Sequence, residues 1–361
     1  MRAARHPAAA AKAHPAMSAP SGTLEVPFTE YPAAGATIEV APGVHWLSTP
    51  LPFRLRAINL WLLADGDGWT IVDCGYSRPE VREQWEQVWA ATLGGRPVTR
   101  LIVTHYHPDH AGNSAWICER WNLRPWMTQA EWLTANLALR DRPGADPDAR
   151  LAFFVANGLA GENLDLFRQR TTHYADGVRL AASFRRIADG ELLHIGGRPW
   201  RVIVGRGHSP EHASLHCAEL GLFIAGDQLL PEITTNVSIW PDEPEADPLG
   251  QFLDSLRRFA RELPPATLVL PSHRRPFRGV QARVAAIEEH HRERLDLLLA
   301  QAAHGPLSAG AMLPVLFRGA LDGHQLGFAM GEALAHLNHL VHAGRLRRLT
   351  HDHEIRYALV E

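Results

Sequence analysis

The run Thr104-His105-Tyr106-His107-Pro108-Asp109-His110 gathers three imidazoles and a carboxylate directly after the apolar stretch Leu101-Ile102-Val103. Side chains two apart on a strand share a face, so His105 and His107 can converge on one ion. Asp109 and His110, beyond the turn set by Pro108, can point to a second ion nearby. Neutral imidazole and carboxylate suit zinc and other first-row metals. Four residues cannot complete two sites. Three more ligand-capable side chains stand where apolar runs end: His208 in Gly207-His208-Ser209-Pro210-Glu211-His212, Asp227 in Ala225-Gly226-Asp227, and His273 in Pro271-Ser272-His273. Sites in α/β folds gather at such strand ends.

Composition narrows the chemistry. Histidine is abundant, at 21 of 361 residues, while the basic set holds one lysine, Lys12. A Schiff base, a pyridoxal-phosphate anchor and a P-loop lysine are therefore excluded. The segment Gly75-Tyr76-Ser77-Arg78-Pro79 lacks the final glycine of a serine-nucleophile elbow. No organic cofactor is called for. A net charge of −3 gives no basic field for a nucleic-acid backbone. No apolar run approaches the ~20 residues of a membrane-spanning helix. Cys74, Cys118 and Cys217 are scattered and form no disulfide framework, which points to a reducing, cytoplasmic setting.

The elements that must position these residues alternate between strand and helix. Residues 1–20 read as a disordered tail, with Met1 and Met17 both candidate starts; Pro7, Pro15, Lys12 and His14 interrupt the apolar stretch that a signal peptide needs. Residues 57–75 read as two strands around Asp65-Gly66-Asp67-Gly68. A helix is expected over 78–93, a strand buried on both faces over 99–107, and a helix over 110–122. Three short helices follow, at 129–140, 148–159 and 162–170. Strands return at 185–204 and 213–226, then a helix at 248–262 and a buried strand at 267–273. The remainder reads as helices at 279–303, 308–317 and 324–343, closed by a hairpin over 345–360.

In their order, the His105–His110 motif, the His208–His212 motif, Ala225-Gly226-Asp227 and Ser272-His273 resemble the metallo-β-lactamase superfamily, with glyoxalase II-like motifs. Asp73 in Ile71-Val72-Asp73-Cys74-Gly75 is similar to its first motif. The resemblance covers roughly residues 36–285. It implies an α/β fold, an αββα sandwich carrying its metals at one edge of two packed sheets. It implies that His105, His107 and His208 hold the first of two divalent ions, that Asp109, His110 and His273 hold the second, and that Asp227 bridges them. Asp73 and His212 would support ligands without binding metal. The metals implied are zinc most often, with iron or manganese in some members. Two such ions lower the pKa of a shared water toward neutrality and polarise a carbonyl or phosphoryl oxygen. Asp109 and Asp227 would be the catalytic carboxylates, Asp109 guiding the proton to the leaving group. The domain reading is a main domain over 21–285, with a helical insert at about 123–170, and a C-terminal domain over 286–361 that resembles a small α+β winged helix.

The substrate is less legible. The insert is rich in aromatics, including Trp132, Phe153 and Phe167. Either they pack the insert onto the sandwich, or Trp126 and Phe154 line an apolar lid suited to an acyl chain. Tyr174 could face the site. Arg274 either binds an anionic group or forms a solvated pair with Arg275. The helix over 324–343 contains Glu332 and neither Lys nor Arg, which does not suit a groove-reading helix. Its apolar stripe suits packing on the main domain or on a partner subunit in a homo-oligomer. His194, His216, His290 and His291 have no ligand spacing and read as surface or satisfied histidines. The expectation is a cytoplasmic metal-dependent hydrolase of a small ester, thioester or lactone, bound to neither membrane nor nucleic acid. A metal-dependent ribonuclease or phosphodiesterase, and a non-enzymatic metal-binding regulator on the same fold, are the alternatives.

Overall fold

The computed structural model describes residues 24–53, 55–140, 147–169 and 173–360. The tail expected at 1–20 and parts of the insert lie outside them. The chain opens with four strands, β1 (Ile38–Ala41), β2 (Val44–Pro50), β3 (Ala57–Asp65) and β4 (Gly68–Val72). Helix α1 (Pro79–Thr92) crosses to β5 (Val98–Ile102), followed by α2 (Pro108–Ala111), α3 (Ser114–Trp121) and β6 (Pro125–Met127). Helices α4 (Gln129–Ala138), α5 (Pro147–Ala156), α6 (Gly161–Arg168) and α7 (Tyr174–Gly177) lead to β7 (Arg185–Arg186). These strands form one sheet in sequence order, antiparallel from β1 to β4 and parallel from β4 to β7. The second sheet takes β8 (Leu192–Ile195), β9 (Arg198–Gly205), β10 (His212–Cys217), β11 (Leu222–Gly226) and, after α8 (Pro248–Glu262), β12 (Leu268–Pro271). Its order is β12-β11-β10-β9-β8, antiparallel except for β11 beside β12.

Alternation along β3 shows why the sheets stack. Trp61 and Leu63 face the second sheet and pack with Trp200, Val202, Leu215 and Ile224. Leu60 and Leu62 face the other way, under Trp85 and Val88 of α1 and Ile117 of α3. Both faces of the strand are buried, so its sequence shows no polar alternation. On the far side, Ile203, Phe223 and Val269 pack under Phe252, Leu256 and Phe259 of α8 and Ile287 of the next helix, α9 (Val280–Ala302). The layers are helix, sheet, sheet, helix.

This topology brings the ligand-bearing ends together. Strands β4 and β5 are parallel, and so are β11 and β12. Strand β9 is antiparallel to β10, which is antiparallel to β11, so β9 runs with β11. All five finish at one edge. The sheets are joined there by Ala213 N donating to Thr104 O at 2.8 Å and Asn59 N donating to Ser272 O at 2.7 Å.

The rest of the chain is α9, α10 (Ala309–Leu316), α11 (Gly323–His342) and a hairpin of β13 (Leu346–His351) and β14 (Glu354–Leu359), the expected order of elements. Helix α9 runs unbroken through residues 285 and 286. The inner side of α11, including Leu326, Met330, Leu334 and Leu337, is buried within this same chain.

Two regions differ from the sequence reading. The helix expected at 110–122 is two short helices, α2 and α3, separated at Gly112-Asn113. The insert begins with a strand, β6, that extends the first sheet, and its later helices pack on the C-terminal helices. Phe154 is fully buried against Phe167 and Trp240 within that core, so it packs the insert rather than lining an open lid. Gly310 N donates to Asn157 O at 3.0 Å, and a Cβ on Gly310 would come within 2.0 Å of Gly158 O. Only a glycine permits that approach.

Candidate metal centre

Asp73 follows β4 with a left-handed backbone, φ 62°, unusual for a non-glycine residue. Its Oδ1 accepts Thr104 N at 2.8 Å, and its Oδ2 accepts Thr104 Oγ1 at 2.9 Å. The same Oδ2 lies 2.7 Å from His110 Nδ1. Asp73 thus pins the start of the histidine loop and turns the other ring nitrogen of His110 inward.

The seven expected ligands meet at this edge. Ligand atoms of His105, His107, His208 and Asp227 lie within 4.8 Å of one another, as do those of Asp109, His110 and His273. Asp227 reaches both groups: its Oδ2 is 3.6 Å from His208 Nε2 and 3.5 Å from His110 Nε2, and its Oδ1 is 3.5 Å from His273 Nε2. Asp109 Oδ2 lies 3.4 Å from His273 Nε2.

Hydrogen bonding fixes which nitrogens face the centre. His208 Nδ1 donates to Asn236 O at 2.8 Å, and His273 Nδ1 donates to Ala57 O at 3.0 Å. A carbonyl only accepts, so Nδ1 carries a proton in both rings and Nε2 is the nitrogen that faces the centre. His208 Nε2 sits 3.2 Å from His105 Nε2, which sits 2.9 Å from His107 Nδ1. These nitrogens lie close enough to one another to share one ion. His110 Nε2 and Asp227 Oδ1 are buried without a hydrogen-bond partner, which is costly unless an ion engages them. The donor set fits divalent metal ions.

Protonation follows the same division. Burial pushes His105 well below the ordinary imidazole range, His107 to about 3 and His208 downward, so this group is neutral and ready to ligate. Burial would also lower His110 and His273, but the facing carboxylates overcome it. Asp73, Asp109 and Asp227 hold His110 well above its usual value, and Asp227 and Asp109 raise His273 to about 10. Burial would raise Asp227, yet His273 and His110 hold it well below the carboxylate range. Metal binding displaces protons from such groups.

Supporting residues surround the ligands. His212 Nε2 accepts the Asp227 N–H at 3.1 Å, which turns it away from a ligand role. Gly226 must be glycine here: a Cβ would lie 2.3 Å from His212 Nε2, and its φ is 56°. Thr235 Oγ1 donates to Asp227 O at 2.5 Å. Asn236, whose carbonyl orients His208, also donates from Nδ2 to Glu332 Oε2 of α11 at 3.3 Å. Glu131, the third residue of α4, is fully buried and accepts hydrogen bonds from Tyr106, Ser209 and Glu211; burial pushes it up to about 7. Sequence reading missed Glu131 and Asn236. Thr128 and Glu131 do have the spacing of a helix-start capping box, but their partners are in other loops.

The four expected substrate contacts are placed differently. Trp126 lies in β6, its ring covered by Arg185 at 3.6 Å and Arg100 at 4.3 Å, so cation–π packing accounts for it. Phe154 is in the core described above. Tyr174 is close to the ligand loop, its hydroxyl donating to Tyr106 O at 2.5 Å. Arg274 has φ 70° and directs its Nε to Glu232 at 3.7 Å.

Comparison with known proteins matches this architecture. The model of the metallo-beta-lactamase superfamily matches residues 54–273, more than half of the chain and every ligand named above. The chain belongs to that superfamily. A model of the metallo-beta-lactamase-like C-terminal domain matches residues 295–360. A probable metallo-hydrolase, YqjP, of Bacillus subtilis is 25% identical over 298 residues, covering 81% of this chain and 90% of that protein. A beta-lactamase domain protein from Burkholderia ambifaria is similar in structure, with TM-score 0.87 and 47% identity, covering 93% of this chain and 98% of the other. A metallo-beta-lactamase family protein from Thermus thermophilus gives TM-score 0.75 and 29% identity over 89% of this chain and all of the other, 100%. The chain thus combines superfamily membership with His and Asp clusters suited to divalent metal ions. No helix among the described residues is long and apolar enough to cross a membrane.

Proposed function

We propose that the chain is a dinuclear metallo-hydrolase, with zinc as its first-choice metal, and that it cleaves a small ester, thioester or lactone. The observation that carries the dinuclear reading is Asp227, whose two carboxylate oxygens reach His208 on one side and His110 and His273 on the other. His105, His107 and His208 would hold one ion and Asp109, His110 and His273 the other. When bound, the ions supply a hydroxide nucleophile at neutral pH and an electrophile for the carbonyl oxygen.

The chain's own residues do the rest. Asp73, Ala57 and Asn236 fix the inward nitrogens of His110, His273 and His208. Asp109, at the mouth of the second group, can carry a proton to the leaving group. An aromatic run, with Tyr76 and Phe53 at 5.5 Å and Phe53 stacked on His324 at 5.1 Å, supplies apolar surface beside the site for an organic acyl group.

The hairpin-tailed C-terminal unit resembles a winged helix in element order, but the burial of α11 argues against a groove-reading role. Arg348 is engaged by Glu245 at 2.5 Å. Three free, buried cysteines favour a cytoplasmic setting. The test is a metal-replete preparation assayed on acyl-CoA and glutathione thioesters, lactones, phosphodiesters and single-stranded RNA. Turnover concentrated on the carbonyl substrates is expected. Turnover confined to phosphodiesters or RNA, or none at all, would overturn the assignment.

A further inference from the structure

Building on the metal-centre reading above, we propose that Glu131 is a positioning residue for the first ligand group: its carboxylate clasps the two loops that carry His105, His107 and His208, and so sets the spacing between them. The contacts divide cleanly. Glu131 Oε2 accepts the Tyr106 N–H at 2.9 Å, and Tyr106 stands between His105 and His107. Glu131 Oε1 accepts Ser209 Oγ–H at 2.7 Å and the Glu211 N–H at 2.7 Å, and Ser209 follows His208 directly. The second loop answers in kind: Glu211 Oε2 accepts the Ala130 N–H at 3.2 Å, and Glu211 O accepts Thr128 Oγ1–H at 2.9 Å. The Glu131 bonds therefore reach both loops of the first group, and none of them goes to Asp109, His110 or His273.

The residue type fits the task. An ionised carboxylate only accepts, and its two oxygens meet three donors from two loops. Burying it fully is expensive, so an apolar side chain here would be the cheaper way to pack a helix start. The three-residue strand β6 explains how it arrives. Pairing of β6 beside β5 brings the first turn of α4 level with the loop that leaves β5. An ordinary N-terminal glutamate would cap its own helix; this one faces outward to two other segments.

The experiment uses the full-length protein, stripped of metal and titrated with Zn(II) or Co(II) against a competing chelator. Wild type, Glu131→Ala, Glu131→Gln, Ser209→Ala and His105→Ala are compared, with the His105 variant marking which binding step is the first group. Glu131→Ala is expected to weaken that step by about tenfold to a hundredfold, the scale for residues that orient metal ligands, and to shift its Co(II) absorption. The other step should stay within about threefold. Glu131→Gln, which keeps size and one acceptor, should fall between, and it carries the test if the Ala variant does not fold. Ser209→Ala should weaken the same step by less. Unchanged affinity in the Glu131 variants, or equal weakening of both steps with a lowered Tm, would overturn the assignment. A wild-type protein lacking two binding steps would instead remove the metal-centre reading on which it rests.

Discussion

The two ligand groups sit side by side but are held by different parts of the chain. His110 and His273 are oriented by the sandwich itself, through Asp73 at the end of β4 and the carbonyl of Ala57 at the start of β3. His105 also leans on the sandwich, its Nδ1 lying 3.0 Å from the Thr104 hydroxyl that Asp73 holds, but the first group draws further support from outside it. Glu131 reaches that group from the insert, and Asn236, which orients His208, is engaged by Glu332 of α11. Segment 236–240 is also tied to α11 by Ile239 N donating to Gly331 O at 3.0 Å. The lesson is that the sandwich orients His110 and His273, while the insert and α11 brace His208 and the turn at Tyr106.

The largest expected effect comes from removing what the halves share. Asp227→Asn keeps size but removes the negative charge that faces both groups, and turnover should fall at least about a hundredfold. The fold should survive, because the backbone there is held by His212 and Thr235. An Asn variant with normal metal content and near-normal turnover would show that the halves do not meet at Asp227.

Next is a change confined to one half. His105→Ala should lower the metal content by about one ion per chain and leave the Asp109 group loaded, whereas His290→Ala should leave content unchanged. His290 lies on α9, where its Nε2 accepts from Arg294 Nε at 2.7 Å. Elemental analysis distinguishes the outcomes; loss of both ions from the His105 variant would mean the halves are not separable.

A smaller effect concerns acid. Burial holds His290, His291 and His336 at about 4, 2 and 3, beside Arg294, Arg283 and the buried Glu332. These values lie below the ordinary 6.5, so the unfolded chain takes up protons first as pH falls. Their contribution is complete above about pH 6.5 and is lost progressively below it, as pH falls through about 4 for His290 and on through about 3 for His336 and about 2 for His291. Urea unfolding should show declining stability over that window, with a shallower slope in His291→Gln. An unchanged slope would mean that this trio does not set the acid sensitivity of the C-terminal unit.

The smallest effect on turnover is expected at Phe154. Phe154→Ala should cost about 3–5 kcal/mol of stability, as large-to-small core changes do, while kcat/KM of the folded enzyme stays within about threefold. A large KM change at unaltered Tm would return the insert to the role of a lid.

What the sequence disclosed follows from where information sits in it. His105, His107, Asp109 and His110 are contiguous, and His208, Asp227 and His273 each close an apolar run, so residue type and strand ends pointed to one edge. Asp73 was found through its motif. The αββα layering was implied by the resemblance of the motifs, and strands such as β3, buried on both faces, agree with it. Trp126 was misplaced because a three-residue strand carries almost no periodic signal, and its partners Arg100 and Arg185 are distant in sequence. Phe154 was expected either to pack the insert or to line a lid, because an apolar helix face does not name what it packs against; it lies in the core. Glu131 escaped because most of its donors are backbone N–H groups, which leave no mark on side-chain patterns.

Metal content tests the central claim most directly. Protein expressed with ample metal, freed of loosely bound ions and measured by elemental analysis should hold about two divalent ions per chain, as two ligand groups sharing Asp227 require. At most one ion per chain in the same preparation would contradict the dinuclear centre.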